Sequence, residues 1–182
     1  GVVGDNCVGI VEAIGPDVRG IQIGQRVVVG VKGQCGRCYN CLRGRADRCA
    51  ILGTVMEVAD TSDGKPVRDG RCAEVVVALA EYCAVVHPDI PFEELALLGC
   101  QGSCGLAMTM VAAPIEAGEN VVIFGAGPVG LSAVQGARIR GANQIVVVEP
   151  IAARRALASR LGATSTLDPN VESDTLVARL RE

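Results

Sequence analysis

Asn120-Val-Val-Ile-Phe124 runs directly into Gly125-Ala126-Gly127-Pro128-Val129-Gly130. A short apolar run bounded by glycine reads as a buried strand, and the pattern from there to about Arg140 reads as a helix. Gln144-Ile-Val-Val-Val148 is a second apolar run, ending at Glu149, and Ala152 to Leu161 is a second helix stopped by Gly162. Strand, helix, strand, helix is the repeat that winds a parallel sheet, because parallel neighbours need a crossover. The predicted fold class of this half is α/β.

Each residue of the turn has a task if it binds a dinucleotide. Gly125 permits the tight turn, Gly127 lets the backbone approach a pyrophosphate, and Gly130 lets helix pack on strand. Pro128 and Val129 open the helix, whose N-terminus offers free N–H groups and a positive dipole end. Glu149, about 19 residues past Gly130, stands where a carboxylate accepts hydrogen bonds from both adenosine ribose hydroxyls. A 2′-phosphate would meet like charge there, so NAD is favoured over NADP. The competing reading is a ligand-free glycine turn; the flanking strand, helix and acid favour the dinucleotide.

Toward the N-terminus lies a different chemistry. Cys35-Gly-Arg-Cys38-Tyr-Asn-Cys41 is followed, after seven intervening residues, by Cys49. Four thiolates at such spacing close a tetrahedral shell around one soft divalent cation, and zinc is the usual occupant. A full shell leaves no open position, which marks a structural site. Gly36 and Gly44 supply the turns that the knuckle needs. Disulfides would need an oxidising compartment. An iron–sulfur run would continue with x3-C-P, whereas Cys49 lies further on and precedes Ala50. Free buried thiols would not need this clustering.

The 182 residues are 49% hydrophobic with a net charge of −3, enough for one large or two smaller cores, and the mild acidity argues against nucleic acid as a partner. No apolar run approaches the length of a membrane span, and no basic-then-apolar leader opens the chain. Nine cysteines, four of them clustered, suggest a reducing cytoplasm. Val8 to Ile14, Val27 to Val29, Cys72 to Leu79 and Tyr82 to Val86 read as strands, with a turn at Gly15-Pro16-Asp17 and a polar loop from Asp60 to Gly70. Phe92 to Val111 has helical spacing weakened by Gly99, Gly102 and Gly105. His87, the one histidine, reads as a surface residue, and Arg154-Arg155 as the solvated face of a helix rather than an adenosine contact.

Taken in order, IVEAIGPDV, GQRV, CGRCYNCLRG with Cys49, LLGCQGSCG, VVIFGAGPVG and VVVEP resemble a zinc-dependent alcohol dehydrogenase of the medium-chain dehydrogenase/reductase superfamily. The resemblance implies a GroES-like irregular β domain over residues 1–92, with a zinc lobe inserted at about 33–52. Residues 93–182 would be a leading helix and the first part of a Rossmann doubly wound parallel sheet. The family is longer at both ends. With Gly1 in place of Met and an unfinished amphipathic segment at Leu176–Glu182, the chain is expected to be a piece of a longer one.

The implied reaction passes hydride between a small-molecule alcohol and NAD, giving an aldehyde or ketone. The implied structural zinc ligands are Cys35, Cys38, Cys41 and Cys49. A second, catalytic zinc would take Cys100 of LLGCQGSCG. Aligned without gaps, Gly4-Asp5-Asn6 stands at the family's Gly-His-Glu, which makes Asp5 the expected catalytic ligand in place of histidine. The alternatives are a Gly-His-Glu just ahead of Gly1, or a lost site. Cys104 stands where many relatives place threonine near the nicotinamide, and Gln101 replaces a glycine. A homo-oligomer is implied. The rival readings are a zinc-independent enone or quinone reductase, which generally lacks the four-cysteine lobe, and a non-catalytic relative that keeps zinc and NAD.

Overall fold

The computed structural model describes residues 4, 6–30, 34–51, 57–58, 67–68, 71–86, 89–171 and 176–179. They fall into two compact units, Gly1–Cys100 and Gln101–Glu182, the division lying eight residues past the 92/93 border read from the sequence.

In the first unit, β1 (Cys7–Ile10) and β2 (Arg26–Val29) pair antiparallel, Cys7 opposite Val29 and Ile10 opposite Arg26. The chain reverses where expected. Pro16 sets the turn that the Val18 N–H closes on the Gly15 carbonyl at 3.2 Å. A four-residue helix, α1 (Tyr39–Leu42), lies in the cysteine lobe, and two strands of two residues each, β3 (Glu57–Val58) and β4 (Val67–Arg68), pair antiparallel, Glu57 opposite Arg68. The sheet is completed by β5 (Cys83–Val85), with Val29 opposite Cys83. As the central strand, β2 is buried on both faces, and Val27, Val29 and Tyr82 form the core with Cys7, Val11, Ala78 and Cys83 packed on it. Arg26 donates to the Ile90 carbonyl at 2.8 Å and stacks 4.1 Å over the Phe92 ring.

The run Cys72–Leu79, expected as a strand, joins no ladder. It bends at residues 73–75, and Val75 and Val77 are 67% and 71% exposed. Valine content reports fitness for a pleated, half-buried surface, and it makes a strand only where a partner lies alongside. The helical stretch from Phe92 is also segmented. It comprises α2 (Phe92–Leu95), a 3-10 turn through Gly99, an interruption at Cys100, α3 (Gln101–Ala107) and a π turn over Met108–Ala112.

The second unit follows the sequence closely. β6 (Asn120–Phe124), α4 (Pro128–Ile139), β7 (Gln144–Val148), α5 (Ala152–Leu161) and β8 (Ser165–Leu167) alternate along the chain, and α6 (Leu176–Arg179) follows. The three strands are parallel in the order β6-β7-β8, with Phe124 opposite Val148 and Val148 opposite Leu167. Val134 and Ala137 of α4, Ile145 and Val147 of β7, and Ala158 of α5 meet in a core with Ile115 and Ala126. Where α3 meets α4 there is no room for a side chain. A side chain at Gly105 of α3 would strike the Val129 carbonyl, the Ser132 Cβ at 2.6 Å and the Ala133 nitrogen at 2.7 Å, all on α4. Gly105, which weakens the helix by propensity, is the point at which the two helices touch. No single helix among the described residues is long and apolar enough to cross a membrane.

Candidate metal centre and nucleotide-binding turn

The four cysteines of the lobe converge. Their sulfurs all lie within 4.8 Å of one another, and the Cys35 and Cys41 Sγ atoms are 4.0 Å apart. A tetrahedral zinc with sulfur at about 2.3 Å has an S–S edge of about 3.8 Å, so the set fits such an ion. None of the nine cysteines is in a disulfide. Local backbone produces the convergence. Gly36 and Gly44 take φ of +69° and +73°, Cys38 caps α1, Cys41 rides on it, and a 3-10 turn over Ala46–Arg48 delivers Cys49 to a buried position.

Backbone donors already favour negative sulfur. The Cys38 N–H points at the Cys35 Sγ at 3.3 Å and the Cys35 N–H at the Cys49 Sγ at 3.4 Å. N–H groups of Ala50 and then Cys41 lower the Cys38 thiol to about 6, while burial and then the Cys38 thiol raise Cys41 to about 11. Four adjacent thiols cannot all ionise without a cation among them, which is the chemistry a dication supplies. Asn40 Nδ2 donates to the Arg48 carbonyl at 2.6 Å and ties the two ends of the lobe together. The Arg45–Asp47 ion pair at 2.8 Å is exposed and adds little.

Of the expected second metal set, Asp5 lies outside the described residues, as do His87 and Pro88. Cys100 is half-buried. Its neighbour Gly99 packs against the first unit's own sheet: a Cβ there would meet the Val29 carbonyl at 3.0 Å and the Asn6 Cα at 3.5 Å. The residue after Asp5 and the residue before Cys100 are therefore neighbours. Arg71, which no sequence signal singled out, is buried beside them. It donates from Nη1 to the Val29 carbonyl at 3.1 Å and the Gly30 carbonyl at 2.9 Å, and its backbone N–H reaches the Gly4 carbonyl at 3.3 Å.

In the second unit the turn after β6 has the form its glycines suggest. Gly125 sits at φ +90°, a conformation costly for any other residue. Gly127 is the N-cap of α4 in extended conformation, with open space where a side chain would be, and Pro128 occupies the first helical position. Gly130 has no room, because a Cβ would run into the Gly125 carbonyl. Val129 is partly exposed, and Cys104 is exposed on α3. Glu149 is 3% exposed at the end of β7. Its Oε2 accepts the Ala126 N–H at 2.7 Å and its Oε1 the Ile151 N–H at 2.9 Å. Arg155 is not a solvated arginine. Its Nη1 donates to the Glu149 and Pro150 carbonyls at 2.7 and 2.8 Å and lies 3.0 Å from Asp168 Oδ2. Arg154 is exposed.

The N–H groups of Ala126 and then Ile151 hold the Glu149 carboxyl below its ordinary value. A depressed folded value means that its contribution to stability is complete above an unfolded value of about 4.3 and is lost as pH falls through the folded value. Glu149→Gln is expected to be less stable at pH 7 and to show a shallower loss of stability on acidification. Parallel acid limbs in denaturant titrations of the two proteins would contradict this.

Residues 1–89 match the alcohol dehydrogenase GroES-like domain family, and residues 128–182 match the zinc-binding dehydrogenase family. A geraniol dehydrogenase from Castellaniella defragrans is 39% identical across 97% of this chain and 51% of its own length. The structure of benzyl alcohol dehydrogenase from Acinetobacter calcoaceticus superposes with a TM-score of 0.85 at 31% identity, covering 97% of this chain and 51% of that one. A zinc-binding dehydrogenase from Sinorhizobium meliloti 1021, bound to NADP, superposes with a TM-score of 0.75 at 31% identity, over 93% of this chain and 46% of that one. The chain spans about half the length of the curated relatives it matches.

Proposed function

The chain belongs to the zinc-dependent alcohol dehydrogenases of the medium-chain dehydrogenase/reductase superfamily, and on that premise we propose that it transfers hydride between a small-molecule alcohol and NAD. The product is an aldehyde or ketone. The observation that carries this reading is the glycine turn between β6 and α4 with Glu149 beside it, on a parallel sheet. When bound, a catalytic zinc polarises the alcohol oxygen and NAD takes up the hydride.

This chain's own residues have the following roles. Gly127 leaves a clear face for a pyrophosphate at the start of α4, where unpaired N–H groups and the helix dipole favour anions. Glu149 accepts hydrogen bonds from the adenosine ribose hydroxyls and opposes a 2′-phosphate. Arg155, held by Glu149, Pro150 and Asp168, is already engaged and is not offered to that phosphate. The Sinorhizobium protein carries NADP at similar overall identity, so the preference for NAD rests on these local residues. Cys35, Cys38, Cys41 and Cys49 hold a structural zinc, and Cys100 with Asp5 serves the catalytic one. Geraniol and benzyl alcohol, named for two of the similar proteins, are primary alcohols next to unsaturated carbon and are the first substrates to test.

Metal content and turnover, measured on the same intact, full-length protein, test the proposal. Two zincs per chain and NAD reduction by these alcohols are the expected result. One zinc with reduction of an enone or quinone would turn the assignment to the reductases of the superfamily. One zinc and no turnover would leave a non-catalytic relative.

A further inference from the structure

Glu149 is a charged group, almost wholly buried, and already committed to the backbone. The Ala126 N–H that it accepts belongs to the residue between Gly125 and Gly127, itself buried. That bond fastens the middle of the glycine turn to the end of the neighbouring strand. The bond from the Ile151 N–H fastens the start of α5 to the same carboxylate. The strand end is fixed in turn: the Glu149 N–H reaches the Leu167 carbonyl at 3.0 Å, and Arg155 clamps the Glu149 carbonyl and Asp168 together. The turn, the two strand ends and the head of α5 therefore meet at one residue, the turn and the head of α5 through its carboxylate and the second strand through its backbone.

We infer that Glu149 is a positioning residue for the phosphate-binding turn as well as an acceptor for ribose, its carboxylate holding Ala126 in place before any dinucleotide arrives. The latch stands on the geometry alone; its effect on affinity rests on the dinucleotide reading. Both tasks fit one group. A carboxylate has about four lone-pair sites, and two backbone donors leave the others for ribose hydroxyls. An amide has only one acceptor oxygen, so in Glu149→Gln the NH2 group faces one of the two N–H donors. In Glu149→Asp the charge remains, but the carboxylate retreats by about one C–C bond, roughly 1.5 Å.

The test separates the two tasks with ADP and 2′,3′-dideoxy-ADP as probes, the second lacking the ribose hydroxyls. Hydrogen exchange at the Ala126 and Ile151 amides is measured alongside, in ligand-free protein. Glu149→Gln is expected to speed exchange at Ala126 about tenfold or more and to weaken dideoxy-ADP by about tenfold, the scale of one charge-assisted hydrogen bond. ADP should weaken further. Glu149→Asp should regain part of the ADP affinity without regaining protection at Ala126.

Unchanged Ala126 exchange in a folded Glu149→Gln protein would overturn the inference. So would a loss confined to ADP, which leaves Glu149 as a ribose acceptor only. If Glu149→Gln does not fold, exchange in Glu149→Asp decides, with wild-type protection at Ala126 counting against the latch. If the unaltered protein binds neither nucleotide, the dinucleotide reading fails, and exchange at Ala126 still settles whether the latch exists.

Discussion

Cys35→Ala is expected to cost the protein one zinc per chain and to leave residues 34–51 open to proteolysis. Little else holds this segment. Its helix has four residues, its 3-10 turn three, and its side chains Tyr39, Leu42 and Ile51 are exposed. With the proposed zinc bound, a lobe so poor in buried apolar surface would take its folding free energy from the metal, as small zinc modules do. The Cys35 sulfur also accepts the Cys38 N–H, so alanine removes a ligand and a hydrogen-bond acceptor together. A fall in the thermal midpoint of roughly 10 °C or more is expected, with a similar fall when a chelator strips the unaltered protein. Cys72→Ala, at an exposed thiol outside the cluster, serves as the comparison and should leave zinc content unchanged. Equal zinc content and equal protease resistance in Cys35→Ala would refute the zinc-held lobe.

Gly130→Ala and Gly127→Ala should separate stability from binding within one turn. At Gly130 an added methyl runs into the Gly125 carbonyl and lies 2.9 Å from its carbon, and backbone on that side has no rotamer with which to yield. Gly125 is held at φ +90° with its N–H on the Val148 carbonyl at 2.8 Å, so the turn and the sheet edge would have to shift together. Overpacking of this kind costs about 1–3 kcal/mol. Dinucleotide affinity should fall at least about tenfold with it. At Gly127 nothing lies within 4 Å of the added methyl and φ is −74°, so the folded state accepts alanine without strain. Its methyl would stand on the face where the pyrophosphate approaches, and affinity should drop with the melting point unmoved. If Gly127→Ala binds NAD as tightly as the unaltered protein, the phosphates do not sit on this turn.

The second unit was the more legible half because its signals are local. Five-residue apolar runs, a glycine turn and Gly162 as a stop lie within a few residues of what they specify, and β6, α4, β7 and α5 formed within a residue or so of the expected bounds. The first unit depends on pairings distant in sequence. Cys72–Leu79 has the composition of a strand and none of the ladder, and a single helix read from Phe92 to Val111 became four short pieces broken at Cys100. Arg71 and Asp168 were invisible as site-forming residues and Arg155 read as a solvated face, since an isolated charge looks the same in sequence whether it faces water or a cluster of carbonyls.

By itself the sequence determined the α/β class, the family, the clustering of the four cysteines and the glycines of the turn, because spacing along the backbone is enough to specify a cysteine knuckle or a strand-to-helix turn. Only the tertiary structure decided that Gly105 is the contact between two helices, that Asn6 and Gly99 are neighbours, and that the Glu149 carboxylate is bound to Ala126 and Ile151. Those facts depend on which segments approach one another in space. A close approach between distant segments leaves no period, spacing or composition along the chain from which it can be read.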